Sequence, residues 1–178
     1  MSAPVLVPAC RTGVSRVPAS AGFDELSRLL ELGRDALAPA TARMAGEVAD
    51  VLAGGGKLFV RGNGGSAAYA QHMVAELVGR FLIPGRRGLP AIALCACAAT
   101  LTARSNDIGY EDALARDVLA LGRSEDVILT FSMSGATANQ LAAFYAAESV
   151  GLRRLALLAA TAGRCARSAS GRSSCPRI

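Results

Sequence analysis

"DVILTFSMSGATANQLAAFYAAESVGLRRLALLAA", residues 126–160, decides the fold. Its opening seven residues, 126–132, form a short apolar run of strand length, rich in β-branched and aromatic side chains. A loop of small and hydroxyl residues follows, and the spacing then predicts a helix over Thr137–Val150 and a second strand over 153–160. Two strands separated by a single helix cannot close as a hairpin, so they lie parallel in one sheet.

The same alternation extends towards the N-terminus. "KLFVRG" (57–62) reads as a strand, Ser66–Arg80 as a helix entered through glycines, and "LPAIALCA" (89–96) as another strand. A helical turn around Thr100–Ala103 and a helix over Glu111–Leu121 come next. Upstream, Leu26, Leu29, Leu30, Leu37, Met44, Val48, Val51 and Leu52 recur at helical spacing, with Pro39 predicted to kink or break the run and Gly54–Gly56 to stop it. The expectation is an α/β domain over 22–162 with a parallel sheet, helices on both faces and an N-terminal helix. Residues 1–21 read as a loose leader and 163–178 as a tail without periodicity.

A chain of 178 residues suits one domain with one core. With 52% hydrophobic residues, 4% aromatic and no Trp, that core must come from Ala, Val, Leu and Ile. The formal charge of +5 does not mark a nucleic-acid face. Residues 1–23 and 163–178 hold six of the 19 basic residues and no acid, leaving thirteen basic residues against all 14 acids between them. The five cysteines lack the spacing of a disulfide framework. No stretch reads as a secretory signal or a membrane span, which points to a reducing, cytoplasmic setting.

Two strand ends carry small-residue loops, Gly62-Asn63-Gly64-Gly65-Ser66 and Ser132-Met133-Ser134-Gly135-Ala136-Thr137. Each runs into a helix, so N–H groups and hydroxyls converge where the helix dipole is positive, as an anion site requires. Neither has the spacing of a P-loop or a dinucleotide fingerprint. A tight turn capped by Ser explains either loop alone; two on parallel strands of one domain favour a phosphorylated ligand. His72, the only histidine, stands four residues before Glu76. One helical turn apart on one face, the two could ligate a metal, work as an acid/base couple, or form a solvated pair. Cys95 and Cys97 alternate onto one strand face, as buried thiols or a soft-metal pair.

"GNGGSAAYAQHMVAELVGRF" (62–81), "LPAIAL" and "LTARSNDIGYEDALARDVLALGRSEDVILTFSMSG" together closely resemble the phosphoheptose isomerases, enzymes built on the sugar isomerase (SIS) domain. The resemblance spans roughly residues 50–160. It implies a flavodoxin-like three-layer parallel sheet, a homotetramer or dimer with sites between subunits, and bound zinc. It also implies an aldose–ketose isomerisation of sedoheptulose 7-phosphate through an enediol. The family's substrate contacts fall on Asn63, Gly64, Gly65, Ser66, Asn106, Asp107, Ser132, Met133, Ser134 and Thr137. Its first zinc ligands fall on His72 and Glu76, the latter also the catalytic base and a substrate contact. A non-catalytic SIS module, binding a phosphosugar or a replication-initiator protein, is the alternative.

The chain departs from the family after Ala160, where "TAGRCARSASGRSSCPRI" supplies neither the Gln nor the second His of the family's metal site. Cys97 is the one nearby soft donor. Met133 replaces a Thr in the phosphate loop. The Arg/Ser/Cys-rich tail looks like GC-rich DNA read out of frame, the expected mark of a frameshifted or truncated isomerase gene. Loss of the helix would expose apolar surface and weaken solubility or assembly.

Overall fold

The computed structural model describes residues 18–159, so the expectations for 1–17 and 160–178 lie outside the described residues. The elements run α1 (Ala19–Ala53), β1 (Leu58–Arg61), α2 (Gly65–Val78), β2 (Ala91–Ala93), α3 (Ala98–Ile108), α4 (Ala113–Leu121), β3 (Val127–Ser132), α5 (Ala138–Val150) and β4 (Arg153–Leu158). The strands form a parallel sheet in the order β2-β1-β3-β4. Phe59 pairs with Ile128 and Ala93 with Val60, so β1 and β3 occupy the centre, and both are almost wholly buried. Burial on both faces is why they read as unbroken apolar runs.

Alternation along the strands builds two cores. Phe59, Ile128, Ala156 and Leu158 pack with Leu114 and Val118 of α4 and Leu141 and Phe144 of α5. Leu58, Val60, Val127, Leu129 and Leu155 pack on the other face with Met44, Val48 and Val51 of α1 and Ala70 of α2. Burying Phe144 completely contributes about 2–3 kcal/mol. Arg61 is also fully buried, its guanidinium 5.6 Å from the Phe144 ring centroid.

Two expectations are corrected. Of the kink or break expected at Pro39, the break does not occur: Pro39 lies inside α1, which is continuous from Ala19 to Ala53. The alanine-rich sequence around it has high helix propensity, and Pro39 is exposed, so water can reach the carbonyl that its missing N–H leaves unbonded. The single turn expected at Thr100–Ala103 is instead the eleven-residue α3. No residue of α3 is fully buried, so it has no apolar stripe to betray it. Its hydroxyls bond backward along the helix, Thr102 Oγ1 to the Ala98 carbonyl at 2.8 Å and Ser105 Oγ to that of Leu101 at 2.7 Å.

The face carrying α1 and α2 holds an open hollow of about 540 Å³, walled by Met44, Leu52, Leu77, Phe131, Leu155 and Leu157 among others. Its lining is apolar and offers a sugar phosphate nothing to bind. Within residues 18–32, Phe23, Leu26, Leu29, Leu30 and Leu32 are exposed on α1, beside an exposed Glu25–Arg28 pair worth little to stability.

The sheet's N-terminal edge is tied by Asp126, only 1% exposed. Its carboxylate accepts the Lys57 backbone N–H at 2.9 Å, the Arg123 N–H at 2.8 Å and the Lys57 ammonium at 2.6 Å. One side chain thereby joins the starts of β1 and β3. Asp126→Ala should destabilise the fold by about 2–4 kcal/mol in urea unfolding, because two N–H donors and an ammonium lose their partner together. A change under about 0.5 kcal/mol would show that water replaces the carboxylate at no cost.

Candidate functional site

β1 delivers the chain into Gly62–Ser66 at the carboxyl edge of the sheet. A Cβ on Gly62 would stand 2.5 Å from the Ser66 backbone, so only glycine lets the chain fold back this tightly into α2. Gly64 holds φ at +54°, again outside the range of ordinary side chains. The turn leaves Asn63 half-buried, Gly64 and Gly65 exposed and Ser66 half-buried.

β3 delivers the second loop. Ser132 is buried, and its Oγ accepts the Gly135 N–H at 2.9 Å. Ser134 Oγ accepts the Ala136 N–H at 3.3 Å and lies 3.4 Å from Thr137 Oγ1. Thr137 is the N-cap of α5. Ser134, Thr137 and Met133 are exposed, and the serine oxygens already accept from the loop's own N–H groups. The exposed hydroxyls of Ser134 and Thr137 stand beside the positive end of a thirteen-residue helix, where they can donate to an anion.

Arg61, the last residue of β1, pairs with Thr130, and β3 runs two residues further to Ser132, so the two loops leave neighbouring strands at the same edge of the sheet; a hydrogen-bonded cluster joins them. Asn63 Nδ2 donates to Asn139 Oδ1 at 2.9 Å, and Asn139 Nδ2 donates to Asn63 Oδ1 at 2.9 Å. Tyr110, in the connection between α3 and α4, donates its hydroxyl to the same Asn63 Oδ1 at 3.1 Å. Asn106 and Asp107 lie exposed in the last turn of α3, bonded to each other at 3.2 Å. Asn139 and Tyr110 were not among the residues expected from sequence. An amide within an apolar helix, 76 positions from its partner, leaves no spacing signal.

His72 and Glu76 are placed differently. α2 starts at the loop and runs back along the sheet, so Glu76 lies about 16 Å down the helix axis from Gly65 at 1.5 Å per residue. His72 is exposed and Glu76 half-buried. They line a separate hollow with Met73, Leu77, Phe81 and Ile83. Arg86 closes its far side, donating through Nη2 to the carbonyls of Glu76 at 2.9 Å, Leu77 at 2.9 Å and Gly79 at 3.0 Å. That guanidinium satisfies the last carbonyls of α2 and complements its negative end. One chain thus brings Asn63 to Asn139 and Tyr110, whereas the hollow lined by His72 and Glu76 includes no residue of the strand-end loops.

Among the described residues no three His, Cys, Asp or Glu side chains gather as a metal-binding group. Cys97 does not join His72 and Glu76 in such a set. Cys95 instead donates its thiol to the Ala67 carbonyl at 3.7 Å, and Cys97 is the exposed N-cap of α3. Hydrogen bonding by the Thr100 side chain, then the Thr100 backbone, holds the Cys97 thiol below its ordinary pKa of 9.0.

Residues 23–159 match the SIS domain family. The phosphoheptose isomerase of Geotalea daltonii is 48% identical over 127 residues, 71% of this chain and 66% of that protein. That of Streptomyces coelicolor is 48% identical over 75% of this chain and 57% of its own length. The chain therefore spans about three-fifths to two-thirds of these relatives. A phosphoheptose isomerase structure from Francisella tularensis superposes with a TM-score of 0.85 at 32% identity, covering 89% of this chain and 83% of that one. One from Neisseria gonorrhoeae gives 0.82 at 33% identity, covering 89% and 82%.

The lowered thiol pKa has a direct readout. Because the thiolate is the reactive species, iodoacetamide should alkylate Cys97 well before Cys95, with a rate–pH midpoint below 9.0. Peptide mass spectrometry across pH 6–10 checks this; equal rates at the two cysteines would contradict the assigned hydrogen bonding.

Proposed function

The chain belongs to the SIS domain family, and from that premise we propose that it is a phosphosugar aldose–ketose isomerase, converting sedoheptulose 7-phosphate to D-glycero-D-manno-heptose 7-phosphate. The observation that carries this reading is the pair of strand-end loops at one edge of the neighbouring strands β1 and β3, one with the exposed hydroxyls of Ser134 and Thr137 at a helix N-terminus. The functional unit in this reading is the domain 22–162.

The Ser132–Thr137 loop would hold the phosphate through the hydroxyls of Ser132, Ser134 and Thr137, with Met133 contributing only its backbone. Gly64, Gly65 and Ser66 would let the sugar approach the backbone, and Asn63, Asn106 and Asp107 would contact its hydroxyls. Glu76 would move the proton between C1 and C2 through the enediol. Binding energy from the phosphate, remote from the reacting carbons, would fix them against that carboxylate.

A seven-carbon chain with its phosphate spans about 10 Å at standard bond lengths. Glu76 stands about 16 Å down α2 from Gly65, farther than that span, which supports a site shared between copies in a homotetramer or dimer. The exposed apolar residues near Glu76, Phe81, Leu82 and Ile83, and those of α1 support such an assembly. The metal test has a negative outcome for one chain: His72 and Glu76 provide two donors and the described residues add no third, so no step is assigned to zinc. Among the described residues no helix is long and apolar enough to cross a membrane, and a cytoplasmic setting belongs to the proposal. The relatives of 43–48% identity bear the name phosphoheptose isomerase, which does not favour the non-catalytic alternative.

Glu76→Gln should lower turnover of sedoheptulose 7-phosphate by at least about 10²-fold while phosphosugar binding persists. Ser134→Ala with Thr137→Ala should mainly raise KM. Refolding the Glu76→Gln and Ser134→Ala/Thr137→Ala chains together should restore up to roughly a quarter of wild-type activity, because mixed assemblies regenerate intact sites. Unchanged turnover in Glu76→Gln would overturn the catalytic assignment; no complementation would overturn the shared site.

A further inference from the structure

The cluster that joins the two loops restricts what Asn63 can offer a ligand. A carboxamide oxygen accepts two hydrogen bonds and its nitrogen donates two. Asn63 Oδ1 accepts from Asn139 Nδ2 at 2.9 Å and from the Tyr110 hydroxyl at 3.1 Å, so both acceptor positions are used. Asn63 Nδ2 gives one hydrogen to Asn139 Oδ1 at 2.9 Å, leaving a single N–H. Asn139 is 1% exposed, which denies water access to the amide pair from that side, whereas Asn63 is half-buried and open to a ligand.

We propose that Asn139 and Tyr110 are positioning residues that lock the Asn63 amide as a one-hydrogen donor, so that the site selects an acceptor oxygen of the bound sugar at this point. The inference rests on the phosphosugar reading and deepens it. A free asparagine rotates its amide to suit a donor or an acceptor; this one cannot turn alone without breaking both bonds to Asn139, and turning the pair together forces the Tyr110 hydroxyl from donor to acceptor. A ligand group able only to donate would meet a donor and leave both unpaired in a partly buried site, the kind of mismatch that discriminates strongly. The same bonds fasten the start of α5 to the β1 loop, so the geometry of the phosphate loop and the orientation of Asn63 are set together.

The test uses the full chain. Tyr110→Phe removes one exposed hydroxyl and should leave the melting temperature unchanged while lowering kcat/KM for sedoheptulose 7-phosphate about three- to tenfold. In an Asn63→Ala background the same substitution should have no further effect, since the hydroxyl acts only through that amide. Asn139→Asp keeps the side-chain shape but sets a second oxygen against Asn63 Oδ1, and should cost about tenfold or more by turning the amide over. The same factor for Tyr110→Phe in both backgrounds, or no effect in either, overturns the proposal. Should the wild-type chain not turn over this substrate, the isomerase reading fails separately, and the lock is judged by 15N NMR of the ligand-free chain. A slowly exchanging Asn63 side-chain amide that becomes fast in Asn139→Asp upholds it, and an amide already fast in the wild type overturns it.

Discussion

Parallel pairing of β1 with β3 is the constraint on which the other features depend. These strands are consecutive neighbours in the sheet but 65 or more residues apart in the chain, from Leu58 to Val127 at one end and Arg61 to Thr130 at the other. Loop-closure entropy opposes bringing them together, and the burial of Leu58, Phe59, Val60, Val127, Ile128 and Leu129 offsets it. Parallel pairing sends both strands to the same edge of the sheet, β3 running two residues beyond β1, so the loops that follow emerge from neighbouring strands. Asp126 fixes the register at one edge and the Asn63–Asn139 pair at the other.

Polar groups within this apolar frame occur where the chain must be held rather than merely packed. Asp126 satisfies two backbone donors and an ammonium, Arg86 satisfies three carbonyls at the end of α2, and Asn139 completes Asn63. Each costs desolvation, and each recovers it through several hydrogen bonds to one group. Arg104 and Asp117 do the same between α3 and α4. α3 has no fully buried residue and meets the core through the partly buried Leu101, so this ion pair and its backward-bonding hydroxyls supplement a minimal core contact.

The strands and most helices were legible because their burial is written in side-chain type. Val127–Ser132 lies within the run 126–132 read as a strand, and α5 begins one residue after Thr137, the residue from which a helix was expected. What periodicity could not show was an element held by polar bonds, as in α3, or a break overridden by its neighbours, as at Pro39. The two loops were legible as tight turns leading into helices because glycine and hydroxyl residues at strand ends have a local physical meaning. Tyr110 and Asn139 were not, since their significance comes from a contact formed only when β1 and β3 pair. His72 and Glu76 were legible as a pair on one helix face, but the direction of that helix relative to the loops is a property of the fold.

That direction has a chemical consequence. A helix following a strand in a parallel layer must run back towards the strand's origin, so its start stands at the ligand edge and its end at the opposite edge. A carboxylate eleven residues into α2 is thereby carried away from the phosphate loops of its own chain. In the proposed reading, one domain presents an anion-binding loop at one edge of the sheet and a carboxylate, near the exposed Phe81, Leu82 and Ile83, further down α2, as two half-sites. Association through the apolar surroundings of Glu76 would then bury hydrophobic area and complete the site in one event. Under the proposed function, assembly and catalysis would share a single driving force.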